Sequence, residues 1–231
     1  MDFLPKGRLD AFADGVFAIV ITLLVLDLSV PDVSAEIMPA LMQQWSVFLA
    51  YIISFAFVGS VWISHSSVTH LMKQETPHSY RLTLLMLFFV SLLPFTTKLM
   101  AFYLSHPPAI PESIFGSDIL AALGTLHAIT KSAFSTPVTI YGLDLLAASL
   151  TLNAIMKSAI RTPDMLINES AGNELYALQR RQQFGVVIII GTLIFGFFFP
   201  AIAVAGYIVV SILFFLTPSI STARAKWRKT S

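Results

Sequence analysis

The chain has 231 residues, of which 56% are hydrophobic and 12% charged, with no cysteine and a formal net charge of +1. That balance excludes an ordinary soluble domain, and the lack of cysteine excludes disulfide frameworks, thiolate nucleophiles and cysteine-based metal sites. A near-neutral sum of segregated charges gives no basis for nucleic-acid binding, so the expected fold class is an all-α membrane protein.

Apolar stretches close to the ~20 residues needed to cross hydrocarbon occur at about 9–28, 46–71, 81–104, 137–159, 183–199 and 201–217, which predicts six transmembrane helices in one domain over 1–231. The first opens with Arg8, Asp10 and Asp14. Its aspartates break the charged-then-apolar order of a cleaved signal peptide, so this helix is expected to stay. The connection 29–45 carries Asp32 and Glu36 but no lysine or arginine. The second helix contains VWISHSS, with Trp62 and His65 three residues apart and hence on one face. The third contains SLLPFTTKLM, from Ser91 to Met100.

An extra loop and helix follow at about 105–134, with Pro107, Pro108, Pro111, Asp118, His127 and Lys131. Each buried charge would cost about 2.5–3.5 kcal/mol, so this segment is expected to lie at the interface instead of spanning. The fourth helix contains VTIYGLDLL, and the last two are separated only by Phe199-Pro200, which predicts a tight hairpin. The tail TARAKWRKTS reads as a basic membrane-surface anchor. Alternate threading puts Lys6, Arg8, Lys73, Arg81, Lys157, Arg161, Arg180, Arg181 and the basic tail on one side, leaving only Lys98 and Lys131 elsewhere. The positive-inside rule then predicts a multi-pass protein of the plasma membrane with both termini cytoplasmic.

At about 100° per residue, Arg8, Phe12, Gly15, Ile19, Leu23 and Leu26 fall on one stripe of the first helix, with Thr22 at its margin. Contact with lipid would explain Ile19, Leu23 and Leu26 equally well. Asp14 projects from a different face, and a carboxylate about two turns into the helix is costly against lipid. It is expected to point into protein, and Trp62 and His65 offer donors on the second helix at a matching depth.

These residues resemble the transmembrane protein 175 family of endosomal and lysosomal potassium channels, in its single-repeat prokaryotic form. The family's first helix carries R-x-x-x-F-S-D-G-V-F-A-I, and this chain reads RLDAFADGVFAI from Arg8 to Ile19, with Ala13 in place of the serine. Trp62 and His65 resemble its W-x-x-H-H, with Ser66 replacing the second histidine, and Ser91–Met100 resembles its P-F-x-T segment. The 105–134 insertion does not fit the pattern.

The resemblance implies a homotetramer in membrane lipid whose central pore is lined by the first helix, conducting potassium and other monovalent cations without a cofactor. By position, Ile19 would form the narrowest ring, with Thr22 or Leu23 one turn on and Leu26 towards the external mouth. Arg8, Phe12, Asp14, Trp62 and His65 would hold the helix and not bind the ion. A hydrophobic ring offers no oxygen to replace a hydration shell, so moderate potassium preference is expected, set by diameter and wetting. External acids such as Asp27 could concentrate cations at the mouth. The other reading is a proton channel or proton-coupled transporter using Asp14 and His65. Enzyme chemistry is not expected: the serines flanking His65 diverge on a helix, and no G-x-S-x-G, HExxH or paired-carboxylate motif is present.

Overall fold

The computed structural model describes residues 7–31, 36–106, 118–198 and 200–216. Lys6, Asp32, the 107–117 stretch, the tail from 217 and the side chains of His127 and Lys131 lie outside the described residues. In chain order the helices are α1 (Gly7–Val25), α2 (Ile37–Gln43), α3 (Trp45–His70), α4 (Pro77–Ser105), α5 (Ile119–Arg161), α6 (Glu169–Phe198) and α7 (Pro200–Leu216), with a short 3-10 turn at Pro163–Met165 before α6. Among the described residues, three stretches are long and apolar enough to cross a membrane by length and composition, Trp45–His70, Pro77–Phe102 and Thr136–Arg161. α1 carries three charges, Arg8, Asp10 and Asp14, and the described part of α7 that is apolar runs over Ala203–Phe214.

One expectation on chain order changes. The segment taken as a separate interfacial helix runs without a break into the fourth span, so that residues 119–161 form one helix of 43 residues. At about 1.5 Å per residue it is roughly 65 Å long, more than twice a hydrocarbon core of about 30 Å. Pro137 sits inside it. A single proline removes one i→i−4 hydrogen bond and need not end a helix whose following turns are held by neighbours. Here those turns are buried against α4, α6 and α7 through Val138, Tyr141, Leu145 and Leu152.

The helices pack around a core that contains Phe17, Phe57, Met86, Met100, Tyr141, Leu145, Leu152 and Tyr207, all essentially inaccessible. Two sites show why small residues sit where they do. A Cβ on Gly142 of α5 would collide with the Tyr207 hydroxyl of α7, and one on Gly196 of α6 would collide with Ala203 of α7. The first lets Tyr207 reach in and donate to the Val138 carbonyl at 3.1 Å. The second lets the α6–α7 hairpin close.

The turn after α3 and the turn after α5 are tied to each other. Lys73 N donates to the Met165 carbonyl at 2.8 Å and Ile167 N to the Leu71 carbonyl at 3.1 Å, a short antiparallel bridge at Met72 and Leu166. α4 then starts cleanly. Thr76 and Ser79 form a reciprocal capping box, with Ser79 N to Thr76 Oγ1 at 3.2 Å and Thr76 N to Ser79 Oγ at 3.1 Å, and Pro77 fills the first helical position, where no N–H is needed.

Candidate functional site: the first helix and its supports

α1 is anchored by one stripe. Leu9, Ala13, Phe17, Val20 and Leu24 are buried, and the helix packs through them against α3 and α4. About 120° round the axis from that stripe lie Phe12, Ile19, Leu23 and Leu26, exposed by 55, 60, 43 and 74% respectively. This is the stripe singled out from the sequence, and among the described residues it is left uncovered. Thr22 is also exposed, and its hydroxyl donates to the Ile19 carbonyl at 2.8 Å, so its one proton is spent on its own helix.

Asp14 sits on the other flank, about 140° from Ile19, beside the packed stripe and not in it. It is exposed, and Trp62 Nε1 of α3 donates to its Oδ1 at 2.9 Å. His65, one turn further along α3, is 2% exposed and faces α1, its ring 6.1 Å from that of Phe17. Its Nε2 has no hydrogen-bond partner among the described residues. Asp10, Asp14, His65, Ser66, Thr69 and His70 line a cleft of about 200 Å³ between the two helices.

The five supporting residues therefore divide. Asp14, Trp62 and His65 come together within one chain. Arg8 and Phe12 do not: both are exposed, on the far side of α1 from Asp14, and Arg8 forms no ion pair among the described residues. The reason is angular, since both stand nearly opposite the α1 face that meets α3.

Asp27, at the other end of α1, has a partner that the sequence did not suggest. Lys98 Nζ of α4 lies 3.0 Å from Asp27 Oδ1, with side-chain exposures of 71 and 19%. The lysine left over by the charge count thus answers the acid expected at the mouth.

A second polar cluster was missed altogether. Thr96 Oγ1 of α4 lies 2.9 Å from Asp144 Oδ2 of α5, and next to it Ser54 Oγ of α3 bonds both Thr97 Oγ1 at 2.7 Å and the Tyr141 hydroxyl at 2.9 Å. The signal was present. Asp144 is a carboxylate inside an apolar run, the same feature that drew attention to Asp14.

A bundle of long apolar helices fronted by a charged first helix defines a multi-pass α-helical membrane protein. Residues 8–94 match the profile of the family described as "Endosomal/lysosomal potassium channel TMEM175". Curated relatives agree: the chain is 35% identical over 132 residues to a potassium channel of Chamaesiphon minutus, 55% of this chain and 65% of that protein. It is 42% identical over 101 residues to the endosomal/lysosomal proton channel TMEM175 of Homo sapiens, 39% of this chain and 20% of that protein. The matched stretch thus spans less than two thirds of the length of these relatives. A crystal structure of a lysosomal potassium-selective channel TMEM175 homologue from Chamaesiphon minutus superposes with a TM-score of 0.70 at 26% identity, covering 90% of this chain and 95% of that one. Over residues 8–94 the chain is similar to the TMEM175 family, and the relatives and structures it matches are named as ion channels.

Proposed function

We propose that this chain forms a potassium-preferring cation channel, a homotetramer with α1 from each subunit around a central pore. The observation that carries this is the α1 surface. A membrane helix with charges at its start keeps one apolar stripe for its own subunit and leaves another, Phe12, Ile19, Leu23 and Leu26, facing outward. Four copies around an axis would bury that second stripe against itself and make a constriction without polar atoms. Ile19 would be its narrowest ring, because it stands at the centre of the stripe, with Leu23 and Leu26 beyond it.

Selection in such a pore comes from diameter and from wetting, so the preference is graded and not absolute. Arg8 and Phe12, both exposed and without a partner among the described residues, are placed to reach a neighbouring copy. Asp14 and Trp62 fix the rotation of α1 and so the direction in which Ile19 points. The six-span thread, cytoplasmic termini and plasma-membrane location belong to the same proposal. It is supported by the bridge between the turns after α3 and α5, which alternate threading puts on one side. Liposome flux for potassium, sodium, caesium and protons tests the proposal, with potassium ahead of sodium as the expected order.

The second reading is proton conduction through Asp14 and His65. It is favoured by the orphaned Nε2 of His65 beside a cleft lined by two carboxylates, and by the relatives named proton channels. A current reversing at the proton equilibrium potential would select it.

A further inference from the structure

Asp144 is 7% exposed, in the part of α5 that is long and apolar enough to cross a membrane. A carboxylate there needs a cation or several donors to remain charged. It has neither. The titratable groups nearby are Tyr141, one turn back on the same helix, and Tyr207 of α7, whose ring packs on Tyr141 at 5.4 Å. Two cations of the surrounding helices are engaged elsewhere: Lys98 of α4 with Asp27, and Arg181 of α6 with the Phe214 carbonyl at 3.2 Å. His65 of α3 faces Phe17 of α1. Among the described residues no lysine, arginine or histidine pairs with Asp144, and its Oδ1 has no hydrogen-bond partner.

The one polar contact of this carboxyl among the described residues gives a proton count. Thr96 Oγ1 lies 2.9 Å from Asp144 Oδ2 and 3.3 Å from the Leu93 carbonyl oxygen. Both of those atoms are acceptors when Asp144 is ionised, yet a threonine hydroxyl has one proton to give. With a proton on Oδ2 both contacts become full hydrogen bonds: Asp144 donates to Thr96, and Thr96 donates to the Leu93 carbonyl. Oδ1 is then the carbonyl oxygen of a neutral acid, far cheaper to leave unpaired than half of a carboxylate.

We propose that Asp144 is a proton-binding site inside the membrane, distinct from the Asp14–Trp62–His65 group, and that its proton links α5 to the turn of α4 that contains Pro94. The ligand is a proton and not a metal cation, because Thr96 is the only oxygen in hydrogen-bond contact with the carboxylate among the described residues. The folded state then holds a proton that the unfolded chain releases at neutral pH, so stability falls as pH rises.

The full chain in lipid nanodiscs provides the test, by infrared spectroscopy and thermal unfolding over a pH series. The wild type should show a carbonyl band of a protonated carboxylic acid at neutral pH, lost in Asp144→Asn and displaced in Thr96→Val. Asp144→Asn, a neutral acceptor and donor of the same shape, should unfold near the wild-type midpoint at neutral pH and lose the fall in midpoint that the wild type shows as pH rises above the ordinary carboxylate range, whereas Asp144→Ala should not keep that midpoint. A neutral-pH wild-type spectrum without the band overturns the proposal, as does a band that persists in Asp144→Asn. A midpoint that climbs with sodium or potassium at fixed ionic strength, with no acid band, would assign the site to a cation instead. The wild-type spectrum and the Thr96→Val shift decide the matter even if neither Asp144 variant folds.

Discussion

Replacing Ile19 by asparagine separates the two roles that its exposed position permits. Ile19 is 60% exposed within the subunit, so only about two fifths of an isoleucine's burial, which is worth about 1.5–3 kcal/mol in full, is at stake inside the chain, or roughly 1 kcal/mol. The stripe that anchors α1, Leu9, Ala13, Phe17, Val20 and Leu24, is untouched, and the subunit should fold. If four Ile19 side chains face one another, the variant puts four amides into a ring that had no polar atoms. The dewetting barrier falls, potassium conductance rises and the preference over sodium drops. If Ile19 faces lipid or a neighbouring helix, each unpaired amide costs about 1–3 kcal/mol. Tetramer yield then falls while permeability ratios stay put. Bilayer recording together with size-exclusion of the same preparation reads both quantities. Poor assembly with unchanged ratios would refute the pore assignment, and Leu26→Asn serves as the companion nearer the mouth.

Trp62→Phe removes the donor to Asp14 and should cost about 0.5–1.5 kcal/mol, at the low end because the pair is partly solvated; thermal unfolding in detergent measures it, with gating altered more than ion preference. Asp14→Asn should likewise impair assembly or gating more than selectivity, and a normal tetramer that no longer discriminates potassium from sodium would contradict its placement beside the packed face. Gly142→Ala forces a methyl against the Tyr207 hydroxyl and should destabilise by about 1–3 kcal/mol, an effect that Tyr207→Phe relieves only in part in the double variant, because the ring Cζ and Leu193 Cδ2 also stand within 2.7 Å of the new methyl. Lys98→Gln frees Asp27; the partly exposed pair contributes only about 0–1 kcal/mol to stability, but if the proposed tetramer holds, four uncovered acids near its mouth should raise cation current at low salt, an increase that disappears at high ionic strength.

The sequence by itself determined the membrane class, because an apolar fraction of 56% is a property of composition and needs no contacts. It also determined which residues of α1 share a stripe, since about 100° per residue is a local rule, and RLDAFADGVFAI carried the family through residues that lie consecutively on one helix. Trp62 and Asp14 were paired from depth alone and do meet, at 2.9 Å. What lay beyond local rules was decided by packing. Whether a helix crosses Pro137 depends on the neighbours that hold the next turns, so α5 runs on where composition suggested a separate interfacial piece. Thr96 and Thr97 are adjacent in the chain yet serve different helices, one reaching Asp144 of α5 and the other Ser54 of α3. Lys98 finds Asp27 across α4 and α1. Each such pairing depends on the rotation and depth of two helices relative to each other, which are set by side-chain interlocking across the bundle and are not encoded in the period of either helix.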